Sequence, residues 1–324
     1  MKAMVAMGYG GPEVYQLQEV AKPQPKANEV LVKVMAASVT TADTMMRTGK
    51  PYIGRLFTGL GKPKRSIPGT GFAGIVEATG EHVTKYEVGD RIFGETLFNF
   101  SSNAEYLVVS EDDVVLPMAD DMAFEEAANF CDGHLTSYNF LKEIHCLTSG
   151  QRVLINGASG SLGTSAIQIA KHMGAHVTAV CSARNSGLVK SLGADEVIDY
   201  QKADFTQTEN QYHLIYDTVG KSDFKHCKKA LTSDGVYLSP VLNFSLLGQM
   251  FWTSFFGKKK AKFEATGTNS KAKLKTLLGE VFQIYKDGKL KMVIDRQFPL
   301  EKLSDAHRYI DQGHKKGNIV IVNY

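Results

Sequence analysis

The stretch Val153-Leu154-Ile155-Asn156-Gly157-Ala158-Ser159-Gly160-Ser161-Leu162-Gly163 decides the fold class, because an apolar strand runs through a glycine-rich turn into a helix. Leu162, Ala166, Ile167, Ala170 and Met173 form one apolar stripe at helical spacing, and Gly174 ends the helix. In such a turn Gly160 lets the backbone approach a pyrophosphate and Gly163 lets the helix pack close to its strand. The N–H groups from Ser161 and Leu162 onward, aided by the helix dipole, hold the negative charge. Gly157 stands one residue before the first glycine position of the G-x-G-x-x-G pattern, which Ala158 occupies.

A lone glycine pattern is weak evidence, and its surroundings decide between a dinucleotide site and a structural turn. Downstream, His176 to Cys181 reads as a strand, Asn185 to Leu192 as a helix, and Glu196 to Tyr200 and Tyr212 to Thr218 as strands. Lys221 to Leu231 reads as a helix and Gly235 to Ser239 as another strand. Alternation of this kind requires a doubly wound parallel sheet, the α/β class. A strand that binds a ribose 2′-hydroxyl ends in Asp or Glu about 20 residues past the turn. Here the strand ends Cys181-Ser182-Ala183-Arg184-Asn185. Ser182 and Arg184, with Lys190 and Tyr200 nearby, suit a 2′-phosphate, so NADP(H) is the expected cofactor.

Upstream the period is that of strands. Lys2 to Met7, Val14 to Val20, Val30 to Met35, Phe72 to Ala78, Arg91 to Phe93, Tyr106 to Val109 and Val114 to Leu116 are short runs separated by Gly-rich turns, the pattern of a β-barrel-like domain. At 324 residues the chain is long enough for two domains. A net charge of +3 is too small for a nucleic-acid binder. Four cysteines, Cys131, Cys146, Cys181 and Cys227, contain no C-x-x-C pair, so no structural zinc site is expected. No secretion signal opens the chain, which points to a cytoplasmic protein. Leu238 to Phe256 lacks charge and is rich in Phe and Leu. It is too polar for comfortable membrane insertion, so it is expected chiefly as a buried crossover, with membrane contact not expected.

These segments resemble the medium-chain dehydrogenase/reductase superfamily and, within it, the zinc-independent quinone oxidoreductases related to ζ-crystallin. The likeness rests on Tyr9-Gly10-Gly11-Pro12-Glu13-Val14, Glu29 to Val34, Ala37-Ser38-Val39, Asp43, Arg47, Gly74 to Gly80 and Val88 to Gly94. The glycine turn, Leu192 to Asp195, Asp217-Thr218-Val219-Gly220 and Gly313 to Val320 continue it. The resemblance implies a GroES-like catalytic domain built from both chain ends (1–123 and 268–324) around a Rossmann domain (124–267). It also implies a cleft where nicotinamide meets substrate, with Thr136 and Val219 as further candidates to line the dinucleotide. Where the zinc alcohol dehydrogenases carry a ligand Cys this chain reads Val39-Thr40-Thr41-Ala42-Asp43, and where they carry Gly-His-Glu it reads Gly69-Thr70-Gly71-Phe72. Metal ligands are therefore expected to be absent.

Hydride addition to a quinone or an enone needs no Lewis acid, because the acceptor delocalises the charge itself. The expected substrate is thus a small apolar quinone or α,β-unsaturated carbonyl. Thr40, Asp43 and Tyr52 are candidates to position it; Asp43 could instead only tie a strand to the next helix. His134 is a candidate proton donor or an exposed histidine. The loop Pro51 to Pro68 and the segment Leu238 to Phe256 are candidate substrate walls. The alternatives are an enoyl-thioester reductase, with Lys62, Lys64, Arg65 and Lys258 to Lys260 as basic mouth, and an NADPH-binding structural or regulatory protein. Pairing of two copies into a homodimer through a sheet edge is compatible with this reading.

Overall fold

The computed structural model describes every residue except Pro51, Ile53, Gly54 and His314, and of Phe57 it describes the backbone. The chain divides into two compact units, residues 1–132, 270–279 and 292–324 in one and 133–269 with 280–291 in the other.

The first unit is built on strands β1 (Lys2–Ala6), β2 (Tyr15–Glu19), β3 (Glu29–Val39), β4 (Gly71–Thr79), β5 (Arg91–Glu95), β6 (Tyr106–Ser110) and β7 (Val114–Pro117). All seven occur where alternating apolar residues predict them. β3 is the spine of the unit, and its Val30, Val32 and Val34 are buried together with Val76, Ile92, Leu107 and Val115. Helix α1 (Thr41–Thr48) follows β3 directly.

The second unit carries a six-stranded parallel sheet of β8 (Arg152–Asn156), β9 (His176–Cys181), β10 (Glu196–Asp199), β11 (Tyr212–Asp217), β12 (Leu231–Leu238) and β13 (Lys260–Lys262). The order β10-β9-β8-β11-β12-β13 reverses direction at β8, the switch point at which doubly wound sheets bind ligands. Helix α2 (Ser161–His172) leaves β8, and its Ala166, Ile167, Ile169 and Ala170 are fully buried.

Two expectations fail here. The helix over Lys221 to Leu231 shrinks to α3 (Phe224–Cys227), because Leu231 already pairs with Tyr212 in the parallel ladder and draws the chain into β12. The uncharged segment is not a buried crossover. It forms helix α4 (Phe244–Phe255), with Phe244 89% exposed and Phe251, Trp252 and Phe255 also largely in solvent. Only Leu246 and Thr253 of α4 are buried. Its composition predicted burial, but a single sheet face accepts one side of a helix.

The chain then forms β14 (Ile294–Pro299), helix α5 (Leu303–Asp311) and β15 (Asn318–Val322), all in the first unit. β15 pairs antiparallel with β3, and β14 flanks it in parallel. Leu303, Ala306 and Ile310 of α5 close the barrel-side core. No helix among the described residues is long and apolar enough to cross a membrane.

Candidate active site

In the second unit the glycine turn occupies the C-terminal edge of β8. Gly157 has φ +77°, and a Cβ there would collide with Val219 and lie 2.6 Å from Thr218 Oγ1. A Cβ on Gly163 would lie 2.6 Å from the Ala158 Cα, so only glycine lets α2 sit this close to the turn. At Gly160 the same test meets nothing nearer than 3.5 Å, leaving room for a ligand. Gly160 is also the N-cap of α2 and offers no side chain of its own to cap the first turn. A helix N-terminus that begins on a glycine at a sheet switch point fits a pyrophosphate.

Neighbouring strands complete this cradle. Asn185 Nδ2 donates to Ser159 Oγ at 2.9 Å, tying the end of β9 to the glycine turn. Ser182 is buried and Arg184 exposed on the short turn between them. Tyr200, half exposed, leaves β10 with its N–H 3.4 Å from the Cys181 carbonyl oxygen. On the other side the buried Asp217 accepts from Asn156 Nδ2 at 2.9 Å, from the N–H groups of Val219 and Gly220, and from the Tyr237 hydroxyl. That carboxylate therefore shapes the loop carrying Val219. Ser137 Oγ donates to the Leu162 carbonyl at 3.0 Å, which holds the adjacent Thr136 beside the first turn of α2. The structure thus gathers Thr136, Gly157, Gly160, Ser161, Leu162, Gly163, Ser182, Arg184, Tyr200 and Val219 at one edge of the sheet. Asn156, Ser159, Asn185 and Asp217 were missed as site residues. The signal available for Asn156 and Asp217 was a polar residue at the end of an otherwise apolar strand.

His134 is buried rather than exposed, with Nδ1 3.3 Å from Ser165 Oγ. Burial pushes its pKa down to about 3, so the ring is neutral near pH 7 and does not act as an imidazolium donor.

In the first unit α1 begins with a capping box. The Thr40 N–H and Oγ1 both donate to Asp43 Oδ2, at 2.8 and 2.9 Å, while the Asp43 N–H donates to Thr40 Oγ1 at 3.1 Å. Thr40 therefore spends its hydroxyl proton on Asp43 rather than on a substrate carbonyl. The spacing Thr40-Thr41-Ala42-Asp43 carried that signal in the sequence. Burial raises the Asp43 pKa to about 6, against the lowering effect of the Thr40 bonds and with help from Asp132. Glu95 is raised to about 7, by burial first and then by Asp132.

Asp43 lines a cavity of about 130 Å³ with Tyr15, Met46, Arg47, Thr58, Phe98 and Phe100 and the loop residues Lys64 and Arg65. Arg47 is fixed at its edge by Asp311, which accepts from NH2 through both carboxylate oxygens at 2.8 and 2.7 Å, and by the Gly10 carbonyl at 2.9 Å. Leu97, Phe100 and Ser101 have positive φ, a strained turn that aims two aromatic rings at the cavity. No Gly or turn dipeptide announced it. Tyr52 is not among the lining residues. It is 66% exposed, with the Arg55 guanidinium 4.9 Å from its ring centre. Ile53, proposed for the substrate wall, lies outside the described residues.

Residues 26–121 match the alcohol dehydrogenase GroES-like domain family and residues 192–321 the zinc-binding dehydrogenase family. A quinone-oxidoreductase homolog of Spinacia oleracea chloroplasts is 32% identical over 343 residues, covering 99% of this chain and 98% of that protein. An NADPH-dependent alkenal/one oxidoreductase of Arabidopsis thaliana chloroplasts is 28% identical over 333 residues, covering 99% of this chain and 79% of that protein. The solved quinone oxidoreductase of Coxiella burnetii superposes with a TM-score of 0.87 at 27% identity, over 100% of this chain and 99% of that one.

Proposed function

Because the chain belongs to the quinone oxidoreductase family of the medium-chain dehydrogenase/reductase superfamily, we propose that it reduces a quinone or an α,β-unsaturated carbonyl with NADPH. The observation that carries this reading is the cradle at β8 and β9, where glycines make room for a pyrophosphate and Ser182 and Arg184 replace the acid of an NAD site. NADPH, when bound, supplies a hydride from C4 of its nicotinamide.

The chain's own residues do the rest. Gly157 to Gly163 hold the pyrophosphate, and Arg184, Ser182 and Tyr200 hold the 2′-phosphate. Thr136 and Val219 position the dinucleotide from either side of the turn. In the first unit Met46, Phe98 and Phe100 form an apolar seat for a conjugated carbonyl. Asp43, with its raised pKa, carries a proton in a fraction of molecules at neutral pH and is positioned to protonate a reduced acceptor. Thr40 holds Asp43 in place. Metal independence is supported by residue type: Val39 to Asp43 and Gly69 to Phe72 offer neither thiolate nor imidazole. Lys64 and Arg65 on the cavity wall favour a second reading, an enoyl thioester whose carrier is anionic.

Two measurements test this. NADPH oxidation is followed with ortho-quinones, alkenals and enoyl thioesters in turn, and turnover with none of them overturns the enzyme reading. In parallel, Arg184→Ala is expected to raise KM for NADPH about 10- to 100-fold, the worth of a charge-assisted phosphate bond, and to leave KM for NADH nearly unchanged. A wild-type enzyme without preference for NADPH refutes the cofactor assignment.

A further inference from the structure

Helix α4 has two apolar sides. One belongs to the sheet: Leu246 is buried, Met250 packs on the same core, and Asn243 Oδ1 caps the first turn by accepting from the Leu246 N–H at 2.8 Å. At the other end the Lys260 ammonium donates to the Thr253 carbonyl. The helix is therefore held in place, and its second side is left in solvent. Phe244, Leu247, Phe251 and Phe255 recur there at intervals of three and four residues, with Trp252 beside them and Phe256 just beyond. The rings touch one another rather than a core: Phe251 and Phe255 are 5.2 Å apart, Trp252 and Phe256 4.5 Å. Scattered exposed apolar residues are ordinary, but a continuous aromatic stripe marks a contact surface.

The charge around the stripe identifies the partner. Residues 221–262 carry eight lysines and two aspartates, a net of +6, whereas the whole chain is +3 and its remainder is thus −3. The fold brings part of this charge beside α4, although Lys229 is paired with Glu209 and Lys262 reaches away to the Ile144 carbonyl. The Lys259 ammonium donates to the carbonyls of Lys228 and Leu231 at 2.7 Å, and the Phe224 N–H donates to Gln249 Oε1 at 3.2 Å. The Lys225, Lys228 and Lys258 side chains remain exposed. A two-fold contact through this patch would set two strongly positive regions against each other, which disfavours a second copy. An exposed face of Phe, Leu and Trp with lysines around it instead matches the boundary between acyl chains and anionic headgroups.

We propose that α4 docks this protein on an anionic lipid bilayer, with the aromatic stripe entering the interface and the lysines lying against the headgroups. The helix lies on the membrane: its twelve residues span only about 18 Å. Docking stands independently of the hydride-transfer reading. Where that reading holds, docking brings the enzyme to the phase in which apolar quinones and enones dissolve.

Trp252 is the only tryptophan in the chain, so its fluorescence reports on the stripe directly. The full-length protein is titrated with vesicles of mixed phosphatidylglycerol and phosphatidylcholine, and separately with phosphatidylcholine alone. On the anionic vesicles, Trp252 emission is expected to move to shorter wavelength and to lose quenching by aqueous acrylamide, and the protein to sediment with the lipid. Phe251→Ser with Phe255→Ser should abolish all three responses, with an unchanged thermal unfolding midpoint as the check on folding. Lys258→Gln should lower the partition coefficient about fivefold, the share of one lysine near an anionic surface. Unchanged emission on anionic vesicles, or equal partition onto neutral ones, overturns the proposal. So does a Trp252 already shielded without lipid in a protein that sediments as a dimer, which would make a second copy the occupant.

Discussion

The turn Gly157 to Gly163 and helix α4 belong to the same six-stranded unit, yet different forces place them. At the turn the constraint is steric and local: a backbone with φ +77° and a helix in contact with the turn admit glycine and little else. At α4 the constraint is burial, which depends on what lies opposite. The helix is apolar on both sides, and the sheet covers one. Local backbone demands are written in residue identity, whereas hydrophobic composition states only that a partner is needed, not which partner or on which side.

Substitutions can break this comparison, and the largest effect is expected at the turn. Gly163→Val forces atoms into the Ala158 backbone, and should cost at least ~3 kcal/mol of stability and abolish NADPH binding, read by chemical denaturation and by NADPH fluorescence titration. Retained NADPH affinity would mean that α2 can withdraw from the turn and that the steric account is wrong. Next comes the pair Leu246→Ala and Phe251→Ala on the two sides of α4. The buried leucine should cost about 2 to 4 kcal/mol, and the exposed phenylalanine less than ~0.5 kcal/mol. Equal losses would place the aromatic stripe in a folded contact.

The smallest expected effect carries the comparison into the other unit, where burial acts on charge. Glu95 holds its proton up to about pH 7 in the folded chain, while the unfolded chain releases it near 4.5. Between those values the native state binds more protons, so stability falls as pH rises, by at most ~1.4 kcal/mol per pH unit for this one group. Glu95→Gln should flatten that slope, and Asp43, raised to about 6, should account for part of what remains below pH 6. A variant whose pH profile parallels the wild type would show that Glu95 is ionised throughout.

Much of the fold was legible. The seven N-terminal strands and β8 to β11 occur where period and turn residues put them, because alternation and Gly-rich breaks are properties of neighbouring residues. Helix α3 was overestimated because Lys228 and Lys229 have good helix propensity, and the pairing of Leu231 with a strand some 20 residues upstream overrides it. At the candidate site the steric role of the glycines was readable, and so was the tie of β3 to α1 through Asp43, one of the two readings open for that residue. The Asp217 hub, the bond from Asn185 to Ser159 and the strained turn at Leu97 to Ser101 were not, since each depends on groups that the fold brings together.

By itself, then, the sequence determined the architecture and the glycine turn at the end of β8, and it put a basic residue at the end of the next strand. Each rests on short-range sterics or on a single charge at a known strand end. Only the tertiary structure decided that His134 is buried and neutral, that Thr40 spends its proton on Asp43, and that the aromatic side of α4 faces solvent. Those outcomes depend on dielectric, competing partners and the number of faces a sheet can cover, and none of these is a property of residues adjacent in the chain.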